Sequence, residues 1–239
     1  MCRGNMFVRL LSVCLLTLPA VAAEPATTRL KSDSMKIDGL SGKQHYQGSA
    51  VLTQDNVRIS AEAMSTTQND KGELASAHFT GNPVRVEHTD PLTGTVSIAL
   101  ANDVTYVTAS GTIALVGDAQ VEQLEPNVNR LLTLKAEAMQ LTEVNGQLSD
   151  LKARGAPAVF SQTKGEELPV RGRANSLSYE GQKQFLVLQG NAQLQRGNST
   201  LSHSVIEYDG INKTTNAPKR DGEQMEIQLM PEAQKGQNE

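Results

Sequence analysis

Cysteine is almost missing from this 239-residue chain: Cys2 and Cys14 are the only two, and both stand near its start. Tryptophan is absent, and aromatics make up only 3% of the residues. That scarcity argues against base-stacking platforms and against membrane barrels with aromatic girdles. There is no block of basic residues, which a nucleic-acid surface would need. The longest apolar stretch, Leu10 to Leu18, is far short of the ~20 residues that cross a bilayer as a helix. Catalytic signatures are missing too: no G-x-S-x-G elbow, phosphate loop or dinucleotide fingerprint occurs. The four histidines, His45, His78, His88 and His203, stand at no metal-ligand spacing. Acidic residues are scattered over turns and wet faces, without the paired carboxylates among aromatics that glycan hydrolysis uses. The sequence therefore predicts no enzyme, no metal and no cofactor.

The first 23 residues read as an address. Arg3 and Arg9 precede the apolar stretch, then come Pro19 and the small residues Val21-Ala22-Ala23. That order predicts a signal peptide cleaved after Ala23, and export. Both cysteines leave with it, so the exported chain has no thiol for disulfides, nucleophilic catalysis or zinc. Arg3 and Arg9 leave as well, and 20 basic side chains then face 26 acidic ones.

What is present is a repeat. Gly48-Ser49-Ala50-Val51-Leu52 recurs as Gly117-Asp118-Ala119-Gln120-Val121 and as Gly190-Asn191-Ala192-Gln193-Leu194. Ala61-Glu62-Ala63-Met64 returns as Ala136-Glu137-Ala138-Met139, and Gly81-Asn82-Pro83 as Gly155-Ala156-Pro157. Ala101-Asn102 with Tyr106 returns as Ala174-Asn175 with Tyr179. About three copies of one unit, none able to bury its apolar face alone, imply stacked units sharing a continuous core.

Each copy alternates with period two, the mark of antiparallel strands with one dry and one wet face. Leu186, Leu188, Gly190, Ala192 and Leu194 share the dry row of the third copy, with Gln193 on the wet one. In the following strand Val57, Ile59, Ala61 and Ala63 are expected inside, opposite Arg58, Ser60, Glu62 and Met64. Leu132, Leu134, Ala136 and Ala138 are expected to match them. Glycine and alanine in mid-row suggest either a bend or room for a ligand. Pro83 and Pro157 are expected to open strands, and His203 is the one histidine whose register points inward. One domain over residues 24–230 is expected, followed by a polar, disordered tail over 231–239.

The stretch from Tyr179-Glu180 through Phe185-Leu186-Val187-Leu188-Gln189-Gly190-Asn191-Ala192-Gln193-Leu194-Gln195, with Gly155-Ala156-Pro157-Ala158-Val159-Phe160, resembles the LptA or OstA-like family of lipopolysaccharide transport. The resemblance covers roughly residues 27–230. It implies an all-β fold, a twisted antiparallel β-jellyroll built from about three repeats with open ends. It further implies a periplasmic carrier in a Gram-negative bacterium, holding the acyl chains of lipopolysaccharide inside and its sugars outside. Copies would join head to tail with one another and with jellyroll domains of LptC-like inner-membrane and LptD-like outer-membrane partners. Register then nominates the lipid-lining residues: Tyr46, Leu52, Val57, Ile59, Ile113, Leu115, Val121, Leu132, Leu134, Leu186, Leu188, Leu194, Leu201 and Val205. Docking edges are expected at the first strand, about residues 29–40 with Leu30, Met35 and Ile37, and at the last, Met225 to Met230 with Ile227 and Leu229. A scaffold jellyroll that touches no lipid is the alternative. A membrane-anchored relative would lack the cleavage site.

Overall fold

The computed structural model describes residues 28–229 apart from 40, 145–146 and 221. The expected signal segment, its cleavage site, Met230 and the tail lie outside the described residues. Within them the chain forms one antiparallel sheet of 14 strands. These are β1 (Thr28–Lys31), β2 (Ser34–Ile37), β3 (Gln44–Gln54), β4 (Val57–Gln68), β5 (Leu74–Thr89), β6 (Val96–Val107) and β7 (Thr112–Glu125). β8 (Arg130–Val144), β9 (Gln147–Lys164), β10 (Val170–Glu180), β11 (Phe185–Arg196), β12 (Ser199–Asp209), β13 (Thr214–Asn216) and β14 (Glu226–Leu229) follow. From β3 to β12 every strand pairs with its neighbours in sequence. β1 and β2 share the outer edge of β3, and β13 and β14 share that of β12.

A crease crosses this sheet. Register shifts fall at Gln47/Ala50, Ser60/Ala63, Thr80/Val84, Leu100/Asp103, Val116/Ala119, Lys135/Ala138, Arg173/Ser176 and Gln189/Ala192, strand beside strand. The repeated glycine phrase lies at three of them, on β3, β7 and β11. Gly117 and Asp118 both have positive φ (79° and 48°), as do their counterparts in the other two copies. Extra residues held left-handed bend a strand and increase its twist. The bend is sharp enough to lay each strand's two halves face to face. Gly172 pairs with Phe160 across β9 and β10. Tyr179 lies seven residues further along β10, about 23 Å away on a straight strand. Its ring nevertheless stands 6.3 Å from that of Phe160. The fold is thus a twisted, open-ended antiparallel jellyroll, as the resemblance implied, and the small mid-row residues mark the bend.

The crease also corrects three sequence expectations. Alternation does not run through Ala61-Glu62-Ala63. The bulge adds a residue there, so Met64 turns inward with 3% of its surface exposed, while Ala63 is only half-buried. Met139 and Leu141 replace Ala138 in the interior in the same way. A shift of one residue exchanges the faces of everything beyond it. Pro83 and Pro157 do not open strands. They stand inside β5 and β9, at bulges where no ladder donor is needed. The expected first strand is two strands, broken at Asp33, whose amide donates to the Gly48 carbonyl (2.9 Å). Asp33 thereby occupies against Gly48 the place that Asn102 takes against Gly117 and Asn175 against Gly190.

Candidate functional site

The inward faces of the two halves enclose one continuous apolar interior. Tyr46, Leu52, Ile59, Ile113, Leu115, Val121, Leu132, Leu134, Leu186, Leu188 and Leu194 are buried in it. Val205, expected there, is buried outside this cluster, because it pairs with the exposed Gln189 while its neighbour Ile206 faces inward opposite Leu188. Val57 and Leu201 are half-buried against the same cluster. Sequence reasoning missed much of the rest. Phe79, Val86, Val104, Leu151, Phe160, Leu177 and Tyr179 line β5, β6, β9 and β10, and Ile206 and Tyr208 line β12. Their period-two spacing is the signal that marks them in the sequence. Gln193 lies on the outer face, where its Oε1 accepts a hydrogen bond from Arg173 Nε (2.9 Å).

Where the free ends of the two halves meet, opposite the crease, the interior opens into a cavity of about 360 Å³. Its floor is Val86, Ile98, Ala99, Ile113, Val121 and Leu141. Ile113 and Val121 belong to one strand, eight residues apart, and reach the same space only because β7 folds over. The mouth is polar: Asp90 and Thr93 from the β5–β6 loop, Asn127 and Arg130 from the β7–β8 turn, and Tyr179 and Gln182 from the opposite lip. Asp90 organises its own loop, accepting hydrogen bonds from the amides of Leu92 and Thr93 and from the Thr93 hydroxyl. Arg130 pairs with Glu125 across the base of its hairpin. Burial pushes the Tyr179 phenol above its usual range, although the Arg130 guanidinium beside it pulls the other way.

The last copy is stitched shut. Lys213 Nζ reaches Glu167 Oε2 (2.9 Å), and that hydrogen bond holds the Glu167 carboxyl below its usual range. His203 has 4% of its side chain exposed; its Nδ1 contacts the Val205 backbone, and Nε2 lies 3.7 Å from Glu223 Oε2. Its ring is held by local partners and stands where the other copies carry Ala61 and Ala136. Among the described residues no group of three or more His, Cys, Asp or Glu could hold a metal ion.

At its two ends the sheet stops in short, broken strands. Met35 (54%) and Ile37 on β2, Met225 just before β14, and Ile227 and Leu229 (72%) on β14 are all exposed. Leu30 differs, since it packs against the core. Exposed edge strands with apolar side chains are templates for further pairing.

These features define a class: an open-ended antiparallel β-structure with an apolar interior and two unpaired edges. The chain belongs to the family described as LptA/(LptD N-terminal domain) LPS transport protein, whose model matches residues 29–130 and again 131–214. It is similar to the lipopolysaccharide export system protein LptA of Haemophilus influenzae, at 35% identity over 81 residues, 33% of this chain and 47% of that one. LptA of Escherichia coli K12 is 33% identical over 79 residues, 32% of this chain and 43% of that protein. The matched segment thus spans just under half the length of these curated relatives. Among solved structures it is similar to LptH, the LptA-homologous periplasmic component of the lipopolysaccharide transport device of Pseudomonas aeruginosa. That likeness has 20% identity and a TM-score of 0.46, covering 54% of this chain and 83% of the other.

Proposed function

We propose that this chain carries lipopolysaccharide through the periplasm, acyl chains in the apolar interior and sugars outside. The observation that carries the reading is the continuous interior, which opens to a cavity on one side and ends at two unpaired sheet edges. Each acyl methylene moved from water into such an interior contributes about 0.8 kcal/mol, so a chain of about a dozen carbons is held without a covalent bond. In this reading copies join head to tail through strand addition, which extends sheet and interior together. The same edges receive the jellyroll domains of an inner-membrane LptC-like and an outer-membrane LptD-like partner. No bond is made or broken, and residues 1–23 serve as the export signal. Family membership and the similarity to LptA export proteins support this reading over a scaffold that touches no lipid.

Filling the cavity separates the two. Ala99 is buried on its floor, and a phenyl group there takes space from the ligand rather than from the core. Ala99→Phe is expected to lower lipopolysaccharide affinity by on the order of thirtyfold, as about 2 kcal/mol of methylene burial is lost. Its melting temperature should stay close to wild type. Equal binding by the variant, measured by titration of the purified chain, would favour the scaffold.

A further inference from the structure

We infer that Arg130 recognises the head of the carried amphiphile, by donating to a charged oxygen at the point where the acyl chain leaves the interior. This rests on the carrier reading above and adds a residue and a ligand chemistry to it. Arg130 opens β8 directly after the turn over residues 126–128, with only 7% of its surface exposed. Its Nη2 donates to Glu125 Oε1, and the guanidinium stands beside the Tyr179 phenol, favouring its ionised form. Its buried Nε finds no acceptor among the described residues.

Stability does not explain this arrangement. A buried ion pair is commonly no better for stability than apolar residues of the same size, and a buried donor left unpaired is costly. Nor does the repeat require it. Register makes Ile59, Leu134 and Leu201 equivalent, and four residues before them stand Asp55 in the first copy, Arg130 in the second and Gly197 in the third. Arg130 therefore places one cation, with a donor to spare, where the other copies carry an aspartate and a glycine. Arg130 lines the cavity floored by Ala99, Ile113 and Val121. At the mouth Glu125 accepts from Nη2, and Asp90 accepts from the Leu92 amide and the Thr93 hydroxyl. The chemistry that fits is an acyl chain ending in an anionic oxygen group, phosphate or carboxylate.

The test is calorimetric titration of the full chain with dodecyl phosphate, dodecanoate and dodecyltrimethylammonium, each below its micelle threshold. Arg130→Met is expected to bind both anionic probes about tenfold more weakly, the loss of one charge-assisted hydrogen bond, and the cationic probe unchanged. A loss confined to dodecyl phosphate would support the inference and narrow the head to phosphate. A loss confined to dodecanoate would narrow it to carboxylate. Because Arg130→Met strands Glu125, Glu125→Gln/Arg130→Met is the companion variant, compared at matched melting temperature. Variants that bind all three probes like wild type overturn the role of Arg130 and leave the carrier reading standing. A wild-type chain that takes up none of the probes, nor lipopolysaccharide, overturns both.

Discussion

Gly117→Val is expected to lower the stability of the protein by about 3 kcal/mol, combining backbone strain and overpacking. For a chain of this size that is roughly 10 °C in melting temperature. The residue has φ +79°, a region that a β-branched side chain enters only under strain. An added Cβ would also stand 2.8 Å from Asn102 Nδ2 and 3.1 Å from Asn102 Cβ. The two obstacles are independent: Asn102 can turn aside, but the backbone cannot leave the left-handed region without undoing the bulge. Because the bulge folds β7 over, the loss reaches both halves of the sheet at once. Asp118→Gly, at the next position with φ 48°, is the control and should be neutral or slightly stabilising in the fold. A thermal unfolding curve of Gly117→Val within 1 °C of wild type would refute the crease as the element that sets the fold.

The second large effect concerns assembly. Asp38 donates its amide to the Lys43 carbonyl (2.9 Å), so in an antiparallel ladder the Ile37 amide, one residue earlier, points away from β3 toward the free edge. Proline at 37 removes that outward donor while sparing the contacts to β3. Under the proposed head-to-tail joining, wild type should form larger species as concentration rises. Ile37→Pro should need at least about tenfold more protein to reach the same mean mass, the weight of one or two ladder hydrogen bonds. Light scattering over a concentration series reads this directly. Identical mass curves for the two proteins would remove β2 as a docking edge. The apolar tips on the opposite edge, Ile227 and Leu229, would then be the remaining candidates.

Much of this architecture is legible in the residues, and the exceptions have one physical origin. The phrase beginning at Gly48, Gly117 and Gly190 announces both the repeat and the bend, because only glycine accepts that backbone so close to Asp33, Asn102 or Asn175. Alternation places Leu52, Ile59, Leu134 and Leu188 correctly because each is read within one strand half. It fails at Met64 and Met139, one bulge further on. A Cβ on Gly81 or Gly155 would come within 3.1 Å of the amide of Glu62 or Glu137, so a neighbouring strand shapes those bulges, where no local pattern reports them. The split of the first strand has the same source, since Asp33 breaks it only by bonding to Gly48. Arg130 was invisible for another reason. A charged residue after a turn is ordinarily solvated, and its burial follows from Tyr179 arriving across the fold.

The central claim, that lipid lies along this interior, is tested most directly by photo-crosslinking in living cells. A photoreactive residue replaces Ile59, Leu134 and Leu188 in turn, with Gln193 on the outer face as control. Adducts with lipopolysaccharide at the three interior positions and none at Gln193 are expected. Exported, folded variants that capture no lipid at any interior position would contradict the carrier account and leave the scaffold in its place.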